Sequence, residues 1–269
     1  MFNPSNLLKK CVLLYVMIGI FDSGAGGLSV YREIVRLLPE EKYVYYSDNA
    51  HCPYGDKSVE YVQDRARSIT DFLLGKGADI IVIACNTATA AAVAALRAEY
   101  PETPFIGMEP AVKPAALGTR SGVIGVLATA GTLKGSKYLT TKGRFEDDVK
   151  IVEAVGRGFV ELVEAGQLDG PHTEEVVKAS LQPLLDAGAD TIVLGCTHYP
   201  FLQETISRLA GPGVKVIDPA PSVALHLLDV MKEKNLLRSD AVGGEDIELV
   251  SSGNPEPLQR IFRMINMES

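Results

Sequence analysis

The chain has 269 residues, 46% of them hydrophobic and 22% charged, with a formal charge of −8. That length suits one large domain or two lobes with separate cores, and the acidic balance leaves no electrostatic footprint for nucleic acid or an anionic membrane surface. With that charge, small-molecule or protein partners are expected. Four scattered cysteines (Cys11, Cys52, Cys85, Cys196) without a CxxC pair exclude a disulfide scaffold, a zinc ribbon and a thioredoxin-like centre.

Lys9 and Lys10 precede the apolar run "CVLLYVMIGIF", which copies the outline of a signal peptide. The run is too short to span a bilayer, and no small-x-small cleavage site closes it before "DSGAGG". Residues 16–21 are therefore expected as a first buried strand after a short extension, in a cytoplasmic protein. Cys11, inside the run, and Cys52 read as inert buried thiols.

From there apolar runs alternate with helix-period stretches. "LSVYREIVRLL" places Leu28, Tyr31, Ile34, Val35 and Leu38 on one face before Pro39 stops the helix. "KYVYYSD" reads as a second strand. A capped helix is expected from Ser58 to Leu74, then a third strand "DIIVIAC", an alanine-rich helix to about Ala98, and the strand "PFIGMEPA". Strands apolar on both faces, separated by helices, argue for a mainly parallel sheet covered by helices.

The pattern then restarts. "GADIIVIAC" from Gly77 returns as "GADTIVLGC" from Gly188, identical at six of nine positions, with Cys85 falling on Cys196. "VMIGIFDSGAGG" is echoed by "GVIGVLATAGTL", with Thr129 on Ser23, and Glu109-Pro110-Ala111 by Asp218-Pro219-Ala220. Offsets of 106, 111 and 109 residues, in one order, indicate a duplicated α/β unit. The expected fold class is α/β, with two pseudo-symmetric lobes, each a mainly parallel sheet flanked by helices, and the active site in the cleft between them. Pro and Gly clusters at "EPAVKPAALGTRSG" and "DPAPS" mark the crossings. Residues 1–112 with 220–269 would form the first lobe, carrying Asp22 and Cys85. Residues 113–219 would form the second, carrying Glu164, Cys196 and His198.

Ligands of such sheets bind beyond the carboxyl ends of the strands. Both Cys85 and Cys196 occupy such ends, where a following helix would offer N–H groups and partial positive charge that favour a thiolate. "DSGAGG" lacks the third glycine of a dinucleotide fingerprint, since Ser29 stands there. The preferred reading lets Gly24, Gly26 and Gly27 bring backbone near a small anion while Asp22 and Ser23 point into the cleft. Tyr54-Gly55 is either a plain turn or a contact to ligand through backbone and phenol. Thr129 and Thr132 are loop positions, and His198 is close enough in sequence to tune Cys196.

Two matched thiols on opposite sides of a cleft suit a racemase without cofactor. One base removes the α-proton while a conjugate acid on the other face returns one, and the two exchange roles in reverse. A thiol's unperturbed pKa of about 8.5 suits both tasks. Ser23, Asn86, Thr87 and Thr197 could donate to the charge that develops.

"DSGAGGLSV", "CPYG", "ACNTATA" and "GCTHYPFL", in this order, resemble the glutamate racemase family of the cofactor-independent aspartate/glutamate racemase superfamily, over about Ile18 to Asn254. The resemblance implies interconversion of L- and D-glutamate for peptidoglycan synthesis, with no cofactor and no metal. It also implies Cys85 and Cys196 as the acid/base pair, acting on D- and L-glutamate respectively, and Asp22, His198 and Glu164 as auxiliary groups. Asp22-Ser23, Tyr54-Gly55, Asn86-Thr87 and Thr197-His198 match the substrate-binding pairs, and Asp48 matches a family acidic position. A homodimer is one assembly the resemblance implies, and Met1 to Val16 falls where some relatives carry an extension used in activation by a cell-wall precursor. Three rivals remain at this level: an aspartate or other acidic amino-acid racemase, a non-catalytic two-lobed binding protein for a small acid, and a metal site of Cys85, Cys196 and His198.

Overall fold

The computed structural model describes residues 16–109, 111–237 and 246–267. The front extension with Cys11 and the Pro110 position of the first crossing lie outside that range.

Strands and helices alternate as the sequence predicts. The first half runs β1 (Met17–Asp22), α1 (Leu28–Leu37), β2 (Lys42–Ser47), α2 (Val59–Gly75), β3 (Ile80–Ile83), α3 (Asn86–Glu99), β4 (Phe105–Gly107) and α4 (Val112–Gly118). The second runs β5 (Val123–Ala128), α5 (Ala130–Lys134), α6 (Ser136–Lys142), β6 (Lys150–Val155), α7 (Phe159–Ala165), α8 (Pro171–Asp186), β7 (Thr191–Gly195), α9 (Gln203–Ala210) and β8 (Lys215–Ile217). The chain closes with α10 (Ala220–Glu233), β9 (Asp246–Ser251) and α11 (Glu256–Met267).

Two wholly parallel sheets result, ordered β4-β3-β1-β2-β9 and β6-β5-β7-β8. Read from the other edge, the second sheet is β8-β7-β5-β6, so its four strands reproduce the first sheet's β4-β3-β1-β2 one for one. The duplication inferred from three short echoes is thus a duplication of topology, and it includes the pair β2 and β6, whose sequences share only Lys42-x-Val44 and Lys150-x-Val152. A tight glycine recurs with it. A Cβ on Gly19 would meet Leu73 at 3.2 Å, and one on Gly125 would meet Leu184 at 3.0 Å, so each glycine lets a helix lie close on its central strand.

The strand β9 pairs with β2 at the edge of the first sheet, and α10 and α11 pack against α1. The Arg260 guanidinium of α11 donates to the Ala165 carbonyl at the end of α7. The main apolar core runs from Ile18, Ile20 and Tyr31 through Phe159 and Tyr199 to Leu194, so it is continuous between the sheets. That continuity presses the carboxyl ends of β1, β3, β5 and β7 toward one another.

Candidate active site

Cys85 follows β3 and caps α3. Its Sγ accepts from the Ala88 amide at 3.4 Å, and only 5% of the residue is exposed. Cys196 follows β7 and is 7% exposed, but it caps no helix. The chain after it makes a single tight turn, Tyr199–Leu202, before α9 begins. Pro200 in that turn has no N–H to offer, and the group facing the thiol is instead the His198 ring, with Nδ1 3.9 Å from Sγ. The duplicated cysteines therefore sit in unlike settings, one at a helix N-terminus and one beside an imidazole.

The expected thiolate at Cys85 does not follow from its helix terminus. Burial pushes this thiol well up, the Asp22 carboxylate raises it further, and the Ala88 amide offsets only part of that. A single N–H is outweighed by the loss of solvation for a charged sulfur. Negative charge on Cys196 also bears on Cys85, so the two thiols share one electrostatic environment.

Asp22, at the end of β1, is fully buried. It accepts from the amides of Ser23 and Gly27, each at 2.7 Å, and from the Thr197 hydroxyl at 3.4 Å. Burial raises its pKa, partly offset by positive charge on His198 and by the Cys85 thiol as a donor. On the other side Glu164, from α7, accepts from His198 Nε2 and from the Ala25 amide, both at 2.7 Å. Burial alone would raise Glu164, but the His198 hydrogen bond and charge hold it below its ordinary value. Burial would likewise depress His198, yet Cys196 and Glu164 lift it well above. An imidazolium is thereby held between a thiol and a carboxylate.

The glycines of "DSGAGG" have a use the sequence did not disclose. A Cβ on Gly24 would lie 2.2 Å from Glu164 Oε1, and one on Gly26 would lie 2.3 Å from His198 Nδ1. The space above this loop is filled by two side chains of the opposite sheet, not reserved for an anion. Ser29 then donates to the Thr197 carbonyl at 2.9 Å, so the residue that spoils the dinucleotide pattern ties the two halves together.

Tyr54 is buried, and its hydroxyl donates to Asp48 at 2.5 Å. Asp48 also takes both arms of Arg65 at 2.8 and 2.9 Å. The phenol is thus engaged inward, which leaves the Gly55 backbone beside Thr129. Thr87, Thr129 and Thr132 form a hydroxyl chain with 2.9 Å links, of which Thr87–Thr129 joins the two halves. Asn86 is 5% exposed, and its Oδ1 has no hydrogen-bond partner among the described residues.

Sequence reasoning missed three residues here. Arg65 holds Asp48. Tyr45, buried in β2, donates to the Gly24 carbonyl at 3.0 Å and so pins the glycine loop. Cys52, read as inert, lies with Glu164 and His198, their ligating atoms within 4.8 Å of one another. Among the described residues that trio is the one cluster suited to a cation, and it differs from the Cys85, Cys196 and His198 set. The position of Cys52 directly before Pro53-Tyr54-Gly55 was the available signal.

Residues 18–227 match the Asp/Glu/Hydantoin racemase family. The chain belongs to that family. A glutamate racemase of Stutzerimonas stutzeri is 47% identical over 248 residues, covering 92% of this chain and 93% of the relative. The fold superposes on that of a Francisella tularensis glutamate racemase solved with D-glutamate, with a TM-score of 0.82 and 28% identity over 95% of each chain. An Escherichia coli glutamate racemase, solved with L-glutamate and the activator UDP-MurNAc-Ala, gives a TM-score of 0.81 and 32% identity, covering 93% of this chain and 95% of that one. Within this racemase family the two-cysteine arrangement has a chemical setting.

Proposed function

We propose that this family member interconverts L- and D-glutamate by transferring the α-proton between Cys85 and Cys196, supplying D-glutamate for peptidoglycan synthesis. The observation that carries the reading is the pair itself: two buried thiols on equivalent strand ends, each with its own polar partner. The curated relative's activity and the two glutamate complexes support the choice of substrate.

In one direction the Cys85 thiolate takes the α-proton, and the Cα–H electron pair moves into the substrate carboxylate. Cys196 then gives its thiol proton to the opposite face, leaving Cys196 as thiolate and Cys85 as thiol. The reverse reaction starts from that state, so no external acid is consumed. Asp22 serves the Cys85 side, and His198, held by Glu164, serves the Cys196 side. Asn86 Oδ1, buried and without a partner among the described residues, is suited to accept from the substrate ammonium. The N–H groups opening α3, together with Ser23, Thr87 and Thr197, are suited to its carboxylates. Bringing the ammonium beside Cys85 would offset the Asp22 charge and restore the thiolate that burial disfavours.

The same reading divides the chain into 1–112 with 220–269 and an inserted 113–219, closing around the substrate. It places the protein in the cytoplasm, where its product is used. Among the described residues no helix is long and apolar enough to cross a membrane.

The test is incubation of purified protein with L- and D-glutamate in D2O without added cofactor. The expected result is loss of optical rotation and deuterium at Cα from either enantiomer, with L-aspartate turned over far more slowly. Glutamate that binds but neither racemises nor exchanges would leave a binding protein in place of the enzyme.

A further inference from the structure

Cys52 has no task in the proton transfer, yet it lies at the most polar point of the cleft. Its Sγ, a Glu164 carboxylate oxygen and a His198 ring nitrogen lie within 4.8 Å of one another. The three come from separate parts of the fold, namely the loop after β2, helix α7, and the turn after β7. The loop after β1 runs beneath two of them. A Cβ on Gly24 would lie 2.2 Å from Glu164 Oε1 and 3.1 Å from Cys52 Sγ. A bare glycine is what allows the thiol and the carboxylate to converge.

We propose that Cys52, Glu164 and His198 form a site for a zinc-class divalent cation that, when filled, withdraws His198 from Cys196 and stops turnover. The inhibitory part rests on the reading that His198 serves Cys196; the binding part does not.

The donor set argues for the kind of ion. One thiolate, one imidazole and one carboxylate suit zinc and its soft neighbours and disfavour magnesium or calcium, which take oxygen. A tetrahedral zinc with nitrogen and oxygen at about 2.0 Å and sulfur at about 2.3 Å needs ligand atoms roughly 3.3–3.5 Å apart. The 4.8 Å bound means the thiol closes by no more than about 1.3 Å. The 2.7 Å between His198 Nε2 and Glu164 Oε1 must open by about half an ångström. Three protein ligands leave a fourth position for water. Cys52 and Glu164 are both partly exposed, and a cavity of about 200 Å³ along the same seam is lined by their neighbours Pro53, Val160, Glu161 and Tyr199, which provides a route for a small ion.

Binding releases two protons to solvent, one from the Cys52 thiol and one from His198 Nε2, and replaces the His198–Glu164 hydrogen bond with two metal–ligand bonds. No electron transfer is involved. With its Nε2 and its partner carboxylate committed to the ion, the imidazole can no longer carry a positive charge beside the Cys196 thiol, 3.9 Å from its Nδ1. Capture of this histidine is a more direct block than occupation of the substrate position, because it removes the auxiliary group without contacting the substrate.

The experiment titrates the purified full chain with Zn²⁺ against a chromophoric chelator, and with Co²⁺ followed by visible and near-ultraviolet absorption. One ion per chain is expected, with four-coordinate Co²⁺ bands and a thiolate charge-transfer band. Racemisation should fall as Zn²⁺ binds and return with a chelator. C52S and C52A, checked for native circular dichroism, should bind at least about tenfold more weakly, lose the charge-transfer band, and turn over in Zn²⁺ that silences the parent. A chain with both C85S and C196S should keep the site. No binding by the parent would overturn the proposal. So would C52S and C52A that bind as the parent does, which would put the ion on Cys85 and Cys196. Turnover unaffected by bound Zn²⁺ would overturn the inhibitory part. A protein that shows the Cys52-dependent bands but never racemises glutamate would retain the site and lose the functional reading instead.

Discussion

Glu164 Oε1 lies 2.7 Å from His198 Nε2 and 2.7 Å from the amide of Ala25, so one carboxylate orients the imidazole of its own sheet and fastens it to the loop of the other. This pair couples stability to pH with both signs. His198 is raised above its ordinary 6.5, so its contribution is complete below about 6.5 and is lost as pH rises through the folded value. Glu164 is lowered from 4.5, so its contribution is complete above about 4.5 and is lost as pH falls through its folded value. The pair should therefore stabilise most between those two values. Urea unfolding across pH should show that E164Q flattens this window. An unchanged profile would mean that the ion pair carries no pH-linked stability.

Gly26 should tolerate no side chain. A Cβ there would meet His198 Nδ1 at 2.3 Å, and His198 is too well packed to yield. G26A is expected to cost about 1–3 kcal/mol of stability. It should also cost far more turnover than substrate affinity, since it displaces the imidazole from Cys196. Steady-state kinetics beside thermal unfolding would separate the two effects.

The two auxiliary groups should fail in different directions. D22N and H198N each disturb one thiol, so each should slow one direction of racemisation more than the other, by roughly 100-fold in kcat for the affected half-reaction. The comparison is initial α-deuterium uptake from each enantiomer. Equal losses from both would argue against one thiol per face.

Arg65 should prove a positioning residue. It holds Asp48 in a two-armed ion pair, and Asp48 holds the Tyr54 hydroxyl. Burial would raise Asp48, but Arg65 and Tyr54 keep it below its ordinary value. R65M leaves this fully buried carboxylate uncompensated and should cost about 3 kcal/mol by urea unfolding. It should also raise KM more than it lowers kcat, because the Tyr54-Gly55 loop would lose its anchor. Added guanidinium restoring KM would separate anchoring from general destabilisation.

Much of this was legible in the chain because the signals are local. Short runs rich in Val and Ile between turn residues form the strands, Ser58 caps α2 through its own hydroxyl at 3.2 Å from the Tyr61 amide, and a copied run keeps its cysteine in the copied place. Cys85 and Cys196 were therefore visible from the repetition alone. Topology followed as well, because the duplicated order of strands is a consequence of the duplicated order of runs.

What lies between the copies was not legible. Whether Gly24 and Gly26 admit an anion or two foreign side chains depends on where Glu164 and His198 arrive, well over a hundred residues later in the chain. Whether Cys85 is a ready thiolate depends on burial and on Asp22, which a helix terminus in the sequence does not reveal. Cys52 looked inert because a scattered cysteine reads by default as a small buried hydrophobe, whereas its neighbours in space are a carboxylate and an imidazole. Sequence determined the strands, their repetition and the two thiols. Tertiary structure alone decided which charges meet across the cleft, because electrostatic coupling depends on distance and desolvation, and both are properties of the packed molecule.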